Sequence, residues 1–258
     1  MSNHATPRTV AIIPARLESS RLPKKPLADI CGLPMIVHVL RRSQMAKTLH
    51  DVYVATDSAE ILETVQKFGG KAIMTNSRHQ TGTDRIAEAA AGIEADIIVN
   101  VQGDEALLDP EHIDAAVTAL YQNPDLSVAL LVTPFAERGI TSVIKTVLNE
   151  KDEVMYFSRS DIPSDARTPN PPLLKVCHLV PFRKSFLLQY AAWTKGKLET
   201  IEFNEYLRIL EKGYKIKAVH IPHATVSVDT PQDLELIRSQ MPQDRLFKTY
   251  FEKLTHPA

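Results

Sequence analysis

The apolar and polar positions of the chain alternate in long, regular blocks. "TVAIIPA" (Thr9–Ala15) is a short, β-branched run of the kind that forms a buried parallel strand. "PMIVHVLRRSQMAKT" follows, with a proline at a first helical position and apolar residues at helical spacing. "DVYVAT" predicts a second strand, and "DSAEILETVQKFGG" a helix capped by Asp57 or Ser58 and closed by glycines. "KAIMT" is a third strand, "TDRIAEAAAGI" a helix, "DIIVNVQGD" a fourth strand, "DPEHIDAAVTALYQ" a helix with an acidic first turn, and "SVALLVT" another strand.

Strand and helix in strict succession imply right-handed crossovers and a mostly parallel sheet with helices on both faces. From about Phe135 to Tyr190 the rhythm breaks. "VIKTVLN", "EVMYFSRSDIP" and "KVCHLVPFR" read as antiparallel strands around the proline-rich "SDARTPNPPLL". The expectation is therefore a single α/β domain over 9–240, with an inserted antiparallel lobe at about 135–190 suited to self-association. Residues 1–8 are expected to be a flexible N-terminus. After the lobe come one helix ("LETIEFNEYLRILEKG"), a strand ("KIKAVHI"), a capped helix in "SVDTPQDLELIRSQM", and a terminal helix within 241–258.

Ligands on such sheets sit beyond the carboxyl ends of the strands. The loop after the first strand, "IIPARLESSRLPKKPL", carries Arg16, Arg21 and Lys25 and is stiffened by prolines 14, 23 and 26. Basic side chains on a pre-organised loop suit a triphosphate, although the glycine-rich phosphate signatures are absent. "NVQGDEALLDP" places Gln102, Asp104 and Glu105 at the end of the fourth strand. A carboxylate there, facing phosphates, is the usual carrier of Mg²⁺. Asp229 in "SVDTPQDL" reads either as a helix cap or as a second metal ligand. In "HQTGTDR", Arg85 falls in a helix's first turn, against the dipole, so a ligand or a carboxylate contact is expected.

Composition narrows the classes. At 258 residues with a net charge of −1, the chain has no global attraction for nucleic acid or an anionic membrane. No apolar run is long enough to span a bilayer, and the N-terminus lacks a signal-peptide pattern. Cys31 and Cys177 have no metal-ligand spacing and fit a reducing, cytoplasmic setting.

Seven segments in order, "IIPARLESSRLPKKPL", "GLPMIVHVLRRS", "VYVATDS", "HQTGTDRIAEA", "IVNVQGDE", "YFSRSDIP" and "VDTPQDLELI", resemble the CMP-Kdo synthetase (3-deoxy-manno-octulosonate cytidylyltransferase) family. The resemblance implies a Rossmann-like nucleotidyltransferase fold, a homodimer formed through the lobe, and Mg²⁺-dependent transfer of CMP from CTP to a keto-sugar acid for cell-surface glycan synthesis. It carries Arg16 and Lys25 over as triphosphate contacts and Arg21 as a phosphate or sugar-side contact. Arg85 and Gln102, with the backbone at Pro14 and Ala15, take the base and ribose side, and Asp104 and Asp229 the metal. Arg16, Lys25 and Asp104 are the expected catalytic residues. Gln102, His178, Glu202, Glu205 and Tyr206 fall with Arg21 on the sugar side.

The chain departs from the family's pattern at several points. "LPGKPL" is "LPKKPL" here, with Lys24 for glycine, and Ala106 replaces a proline after "QGDE". "KHIGIYAYR" corresponds to "KVCHLVPFR", and "EKLEQLR" to "EFNEYLR". The altered positions include Val176, His178, Asn204 and Tyr206, all in segments that line the sugar side in the family. The acceptor is thus expected to be Kdo or a close variant, with 8-amino-Kdo, a nonulosonic acid, or a non-catalytic nucleotide-binding role as alternatives.

Overall fold

The computed structural model describes residues 6–18 and 21–255, which divide into two compact units, 1–114 with 225–258, and 115–224. Residues 1–5, most of the expected flexible N-terminus, lie outside the described residues.

The first unit holds β1 (Thr9–Ala15), a short hairpin of β2 (Asp29–Ile30) and β3 (Leu33–Pro34), and α1 (Met35–Ser43). Then come β4 (Asp51–Thr56), α2 (Ala59–Lys67), β5 (Lys71–Met74), α3 (Gly82–Ala91) and β6 (Ile97–Asn100). The chain leaves this unit within α4 (Pro110–Gln122). Within the unit the main strands run in the order β6-β1-β4-β5, each pair parallel. Continuous apolar runs make this possible: Val10 to Ile13 and Ile97 to Val99 are all fully buried. The chain steps from β1 outward to β5 and then returns to β6 on the other side of β1. Right-handed crossovers in opposite directions put α2 and α3 on opposite faces, and the reversal opens a crevice past the ends of β1 and β6.

The second unit carries β7 (Ala129–Phe135), β8 (Lys145–Leu148), β9 (Val154–Ser158), β10 (Leu173–Cys177) and β11 (Val180–Arg183). Helices α5 (Lys184–Ala191), α6 (Lys197–Glu202) and α7 (Leu207–Glu211) precede β12 (Lys217–His220). Its sheet has the order β12-β7-β10-β8-β9, antiparallel except for the β12–β7 pair. The second unit extends beyond the expected lobe of 135–190: β7, which reads as a member of the parallel sheet, pairs antiparallel with β10, and β12 joins the same sheet beside β7.

Two further expectations change. "KVCHLVPFR" is two strands, β10 and β11, and the single helix expected after the lobe is α6 and α7. Phe203 ends α6 in the left-handed region at φ 50°, and the Asn204 carboxamide accepts from the Tyr206 N–H at 3.0 Å in a local turn that competes with the helix. Within this unit Arg208 donates to both Glu199 oxygens at 2.8 and 2.7 Å and to Trp193 O at 3.0 Å, locking α6 to α7. The Glu199 carboxylate pushes the Arg208 pKa up.

The chain returns to the first unit for α8 (Pro231–Gln240) and α9 (Arg245–Thr255). The cap of α8 is Thr230, whose hydroxyl accepts from Asp233 N while Asp233 accepts from Thr230 N. Asp229 is not the cap, and its side chain points elsewhere. At α2, Ser58 rather than Asp57 is the cap.

Lys24 occupies a left-handed conformation, φ 55° and ψ 31°, where the resembled family has glycine. Its ammonium reaches both Glu60 oxygens, at 2.9 and 2.8 Å, on an exposed face. Relief of backbone strain in Lys24→Gly should offset the lost surface pair and the greater freedom of the unfolded chain. That variant is expected to unfold within about 0.5 kcal/mol of the wild type, and Lys24→Val to fall at least about 1 kcal/mol below it. Urea denaturation of the three proteins checks this; equal stability of the glycine and valine variants would contradict it.

Candidate active site

A cleft of 790 Å³ opens in the first unit, walled by the β1 end and its basic loop, the segment leading into α3, the loop after β6, and Asp229. Pro14, Ala15, Arg16, Arg21, Lys25, Arg85, Gln102, Asp104 and Asp229 all line it. Gly103 lets these walls converge, since a Cβ there would sit 2.9 Å from the Pro14 carbonyl oxygen. Gly82 lets the start of α3 approach the Pro14 ring, where an added Cβ would lie 3.2 Å from Cγ.

At the centre, Lys25 Nζ donates to Asp104 Oδ2 at 2.6 Å, to the Val228 carbonyl at 2.8 Å and to Asp229 Oδ1 at 3.2 Å. Arg21 also reaches Asp229 Oδ1, at 2.9 Å. The Val228 N–H donates to the Asp104 carbonyl at 3.0 Å, tying the loop after β6 to the chain that enters α8. Two carboxylates distant in sequence are thereby held around the Lys25 ammonium, with Arg21 on the outer side of Asp229, and a main-chain oxygen completes the group. An all-oxygen, doubly anionic donor set of this kind fits Mg²⁺.

Arg16 is exposed at the cleft, and Arg21 has 63% of its side chain exposed, so their charge is presented to solvent and ligand. Arg85 lines the cleft but is 3% exposed, and its guanidinium donates to Asp57 Oδ2 and to Thr75 Oγ1, both at 2.6 Å. Of the two explanations for an arginine at this helix start, the structure shows the carboxylate contact. Gln102 donates to Asn100 Oδ1 at 3.1 Å, and Asn100 in turn donates to Thr83 Oγ1 at 3.4 Å.

Sequence reasoning missed several supporting groups. Asp57 sits directly after β4, where a carboxylate facing the cleft end of the sheet was a readable signal. The Val228 carbonyl carries no side-chain signal at all. His79, Gln80 and Thr81 also line the cleft. Their segment is pinned by Glu88, which accepts from Asn76 N at 2.9 Å and pairs with His79; these contacts lower the Glu88 pKa.

The remaining predicted residues, His178, Glu202, Glu205 and Tyr206, belong to the second unit. The Glu202 carboxylate accepts from Ser158 Oγ at 2.9 Å and from Arg159 N at 2.8 Å. The Glu205 carbonyl accepts from the Tyr190 hydroxyl at 2.9 Å. Tyr206 is 1% exposed, its ring centroid 6.3 Å from both His178 and Phe182. The Tyr206 side chain is therefore packed within this unit, with almost no surface of its own.

The comparisons with known proteins accord with this geometry. Residues 10–216 match the family model described as cytidylyltransferase. The chain is 42% identical over 239 residues to the 3-deoxy-manno-octulosonate cytidylyltransferase of Syntrophus aciditrophicus, covering 90% of this chain and 96% of the relative. This chain belongs to that family. It is 38% identical to the Escherichia coli protein of the same name, over 92% of this chain and 97% of the relative. A solved structure of CMP:2-keto-3-deoxy-manno-octonic acid synthetase complexed with CTP superposes with a TM-score of 0.89 at 39% identity, covering 92% of this chain and 99% of that one.

Proposed function

We propose that this cytidylyltransferase moves CMP from CTP to the anomeric hydroxyl of Kdo or a close 3-deoxy-ulosonic acid, releasing pyrophosphate, with Mg²⁺ held by Asp104 and Asp229. The observation that carries the proposal is the convergence of these two carboxylates and the Val228 carbonyl on one cationic group, inside a cleft lined by Arg16 and Arg21. Family membership supports the nucleotide and the acceptor class.

The chemistry assigned to the chain's own groups follows from charge. Arg16, Arg21 and Lys25 bind the triphosphate by charge-assisted hydrogen bonds, and Lys25 and Arg16 stabilise the charge gathering on the departing pyrophosphate. Pro14, Ala15 and Gln102 shape the nucleoside side. Arg85, fixed by Asp57 and Thr75, supports that wall. When bound, Mg²⁺ supplies charge neutralisation at the α-phosphate and a lowered pKa for the attacking hydroxyl. Attack at phosphorus forms the new P–O bond as the bond to pyrophosphate breaks, so no protein nucleophile is required.

The second unit supports two further parts of the reading. Ile201 and Phe203 are 71% and 81% exposed and Met155 is 62% exposed, apolar surface suited to homodimer formation through this unit. His178 beside Tyr206 changes the acceptor segments relative to the family's pattern, and this favours testing variant acid sugars. Among the described residues no helix is long and apolar enough to cross a membrane, which suits work in the cytoplasm on soluble substrates for lipopolysaccharide synthesis.

The test is pyrophosphate release from CTP with Mg²⁺ across Kdo, 8-amino-Kdo, nonulosonic acids and hexose 1-phosphates. Turnover with Kdo, abolished by EDTA and restored by Mg²⁺, is the expected result. Turnover only with another acid sugar would replace the acceptor. No release with any acceptor would overturn the enzymatic reading.

A further inference from the structure

The position of Lys25 depends on a stretch of chain with little structure of its own. After the single turn Lys25–Leu27 the chain forms the β2–β3 hairpin, two residues a side, around Cys31 at φ 52° and Gly32 at φ 90°. Two-stranded ribbons of this length are not stable alone. The hairpin is held from outside. Arg238, in the last turn of α8, donates through Nε and Nη2 to the Asp29 carbonyl at 2.9 and 2.8 Å. Its Nη1 donates to Glu235 Oε1 at 2.6 Å, which orients the guanidinium. A second clamp comes from His38, whose Nε2 lies 2.8 Å from the Ile30 carbonyl and whose Nδ1 lies 2.7 Å from the Tyr250 hydroxyl. Burial pushes the pKa of His38 down to about 4. The ring is therefore neutral, with Nε2–H donating to Ile30 and Nδ1 accepting from Tyr250.

The same helix bears on both ends of this stretch. Asp229 stands just before the α8 cap and contacts Lys25, while Arg238 near the other end of α8 holds Asp29. A helix is a stiff rod of fixed rise per residue. We infer that Arg238 is a positioning residue for the phosphate-binding loop: by fixing Asp29 against the far end of α8, it sets where Lys25 stands relative to Asp229. Arg238 does not line the cleft, so it acts through the loop and not on the substrate. The inference rests on the proposed use of Lys25 for CTP.

The variants Arg238→Ala and Arg238→Lys test it by two readouts. In amide hydrogen exchange, Arg238→Ala should speed exchange at Leu27, Ala28 and Met35 by about tenfold or more, leaving the β1 and β4 amides unchanged. In steady-state kinetics with CTP and Kdo, the same variant should raise KM for CTP by about tenfold and lower kcat by about fivefold, because Lys25 also faces the departing pyrophosphate. Lysine, able to supply a donor but not the fork, should recover part of both effects. Unchanged exchange at these amides would overturn the brace. Faster exchange with an unchanged KM would overturn its role in positioning Lys25. A wild type that consumes no CTP would instead defeat the functional reading, and the positioning role with it, while exchange would still report whether the brace exists.

Discussion

Asp104→Asn is expected to reduce turnover of CTP with Kdo by about three orders of magnitude while leaving a folded protein. Asparagine keeps the shape of the side chain and removes its negative charge. In the structure Asp104 Oδ2 is the shortest contact of Lys25, and the Asp104 backbone carbonyl independently holds Val228. Because that main-chain bond survives the substitution, the convergence of the loop with Asp229 should survive too. Lys25 keeps the Val228 carbonyl and Asp229 as partners, so the lost ion pair should alter stability by only about 1 to 2 kcal/mol. Activity and stability should therefore separate: a thermal midpoint within a few degrees of the wild type, and nearly abolished kcat. A variant that keeps activity within tenfold of the wild type would remove Asp104 from the metal assignment.

Lys25→Met is expected to act in two opposite directions. Loss of the ammonium should lower kcat/KM for CTP by about a hundredfold or more, since a charge-assisted contact to the phosphates disappears. Affinity for divalent metal without nucleotide should rise, because Asp104 and Asp229 then face each other without the positive charge that lies within 2.6 and 3.2 Å of them. Titration calorimetry with Mg²⁺ or Mn²⁺ distinguishes this from a merely structural role for Lys25, which would weaken both ligands. Weaker metal binding in the variant would contradict the electrostatic account of the site.

The parallel half of the fold was legible because it rests on continuous apolar runs. Val10–Ile13, Val52–Ala55 and Ile97–Val99 can be buried in one way, and strands β1 and β4 extend only one or two residues beyond those runs. The cleft was legible for a related reason, since loops at the carboxyl ends of parallel strands must gather on one side. What escaped reading depended on long-range pairing or on local side-chain competition. "SVALLVT" is equally apolar whether its partners are parallel or antiparallel, so the extent of the second unit stayed hidden. The break at Phe203 turns on a single left-handed residue and the Asn204 carboxamide, against a helical pattern on both sides. At Asp229 the sequence offered two roles. The adjoining Thr230 took the cap, which released the carboxylate toward Lys25. Arg85 likewise had two candidate partners, and the Asp57 carboxylate is the one it holds.

The central claim is that Asp104 and Asp229 form one divalent-metal site beside the triphosphate. Its most direct test is electron paramagnetic resonance of Mn²⁺ titrated into the wild type, Asp104→Asn and Asp229→Asn, each with CTP present. The account predicts protein-bound Mn²⁺ in the wild type and its loss, by at least about tenfold in affinity, in each single variant. Mn²⁺ bound equally well by all three proteins would contradict it.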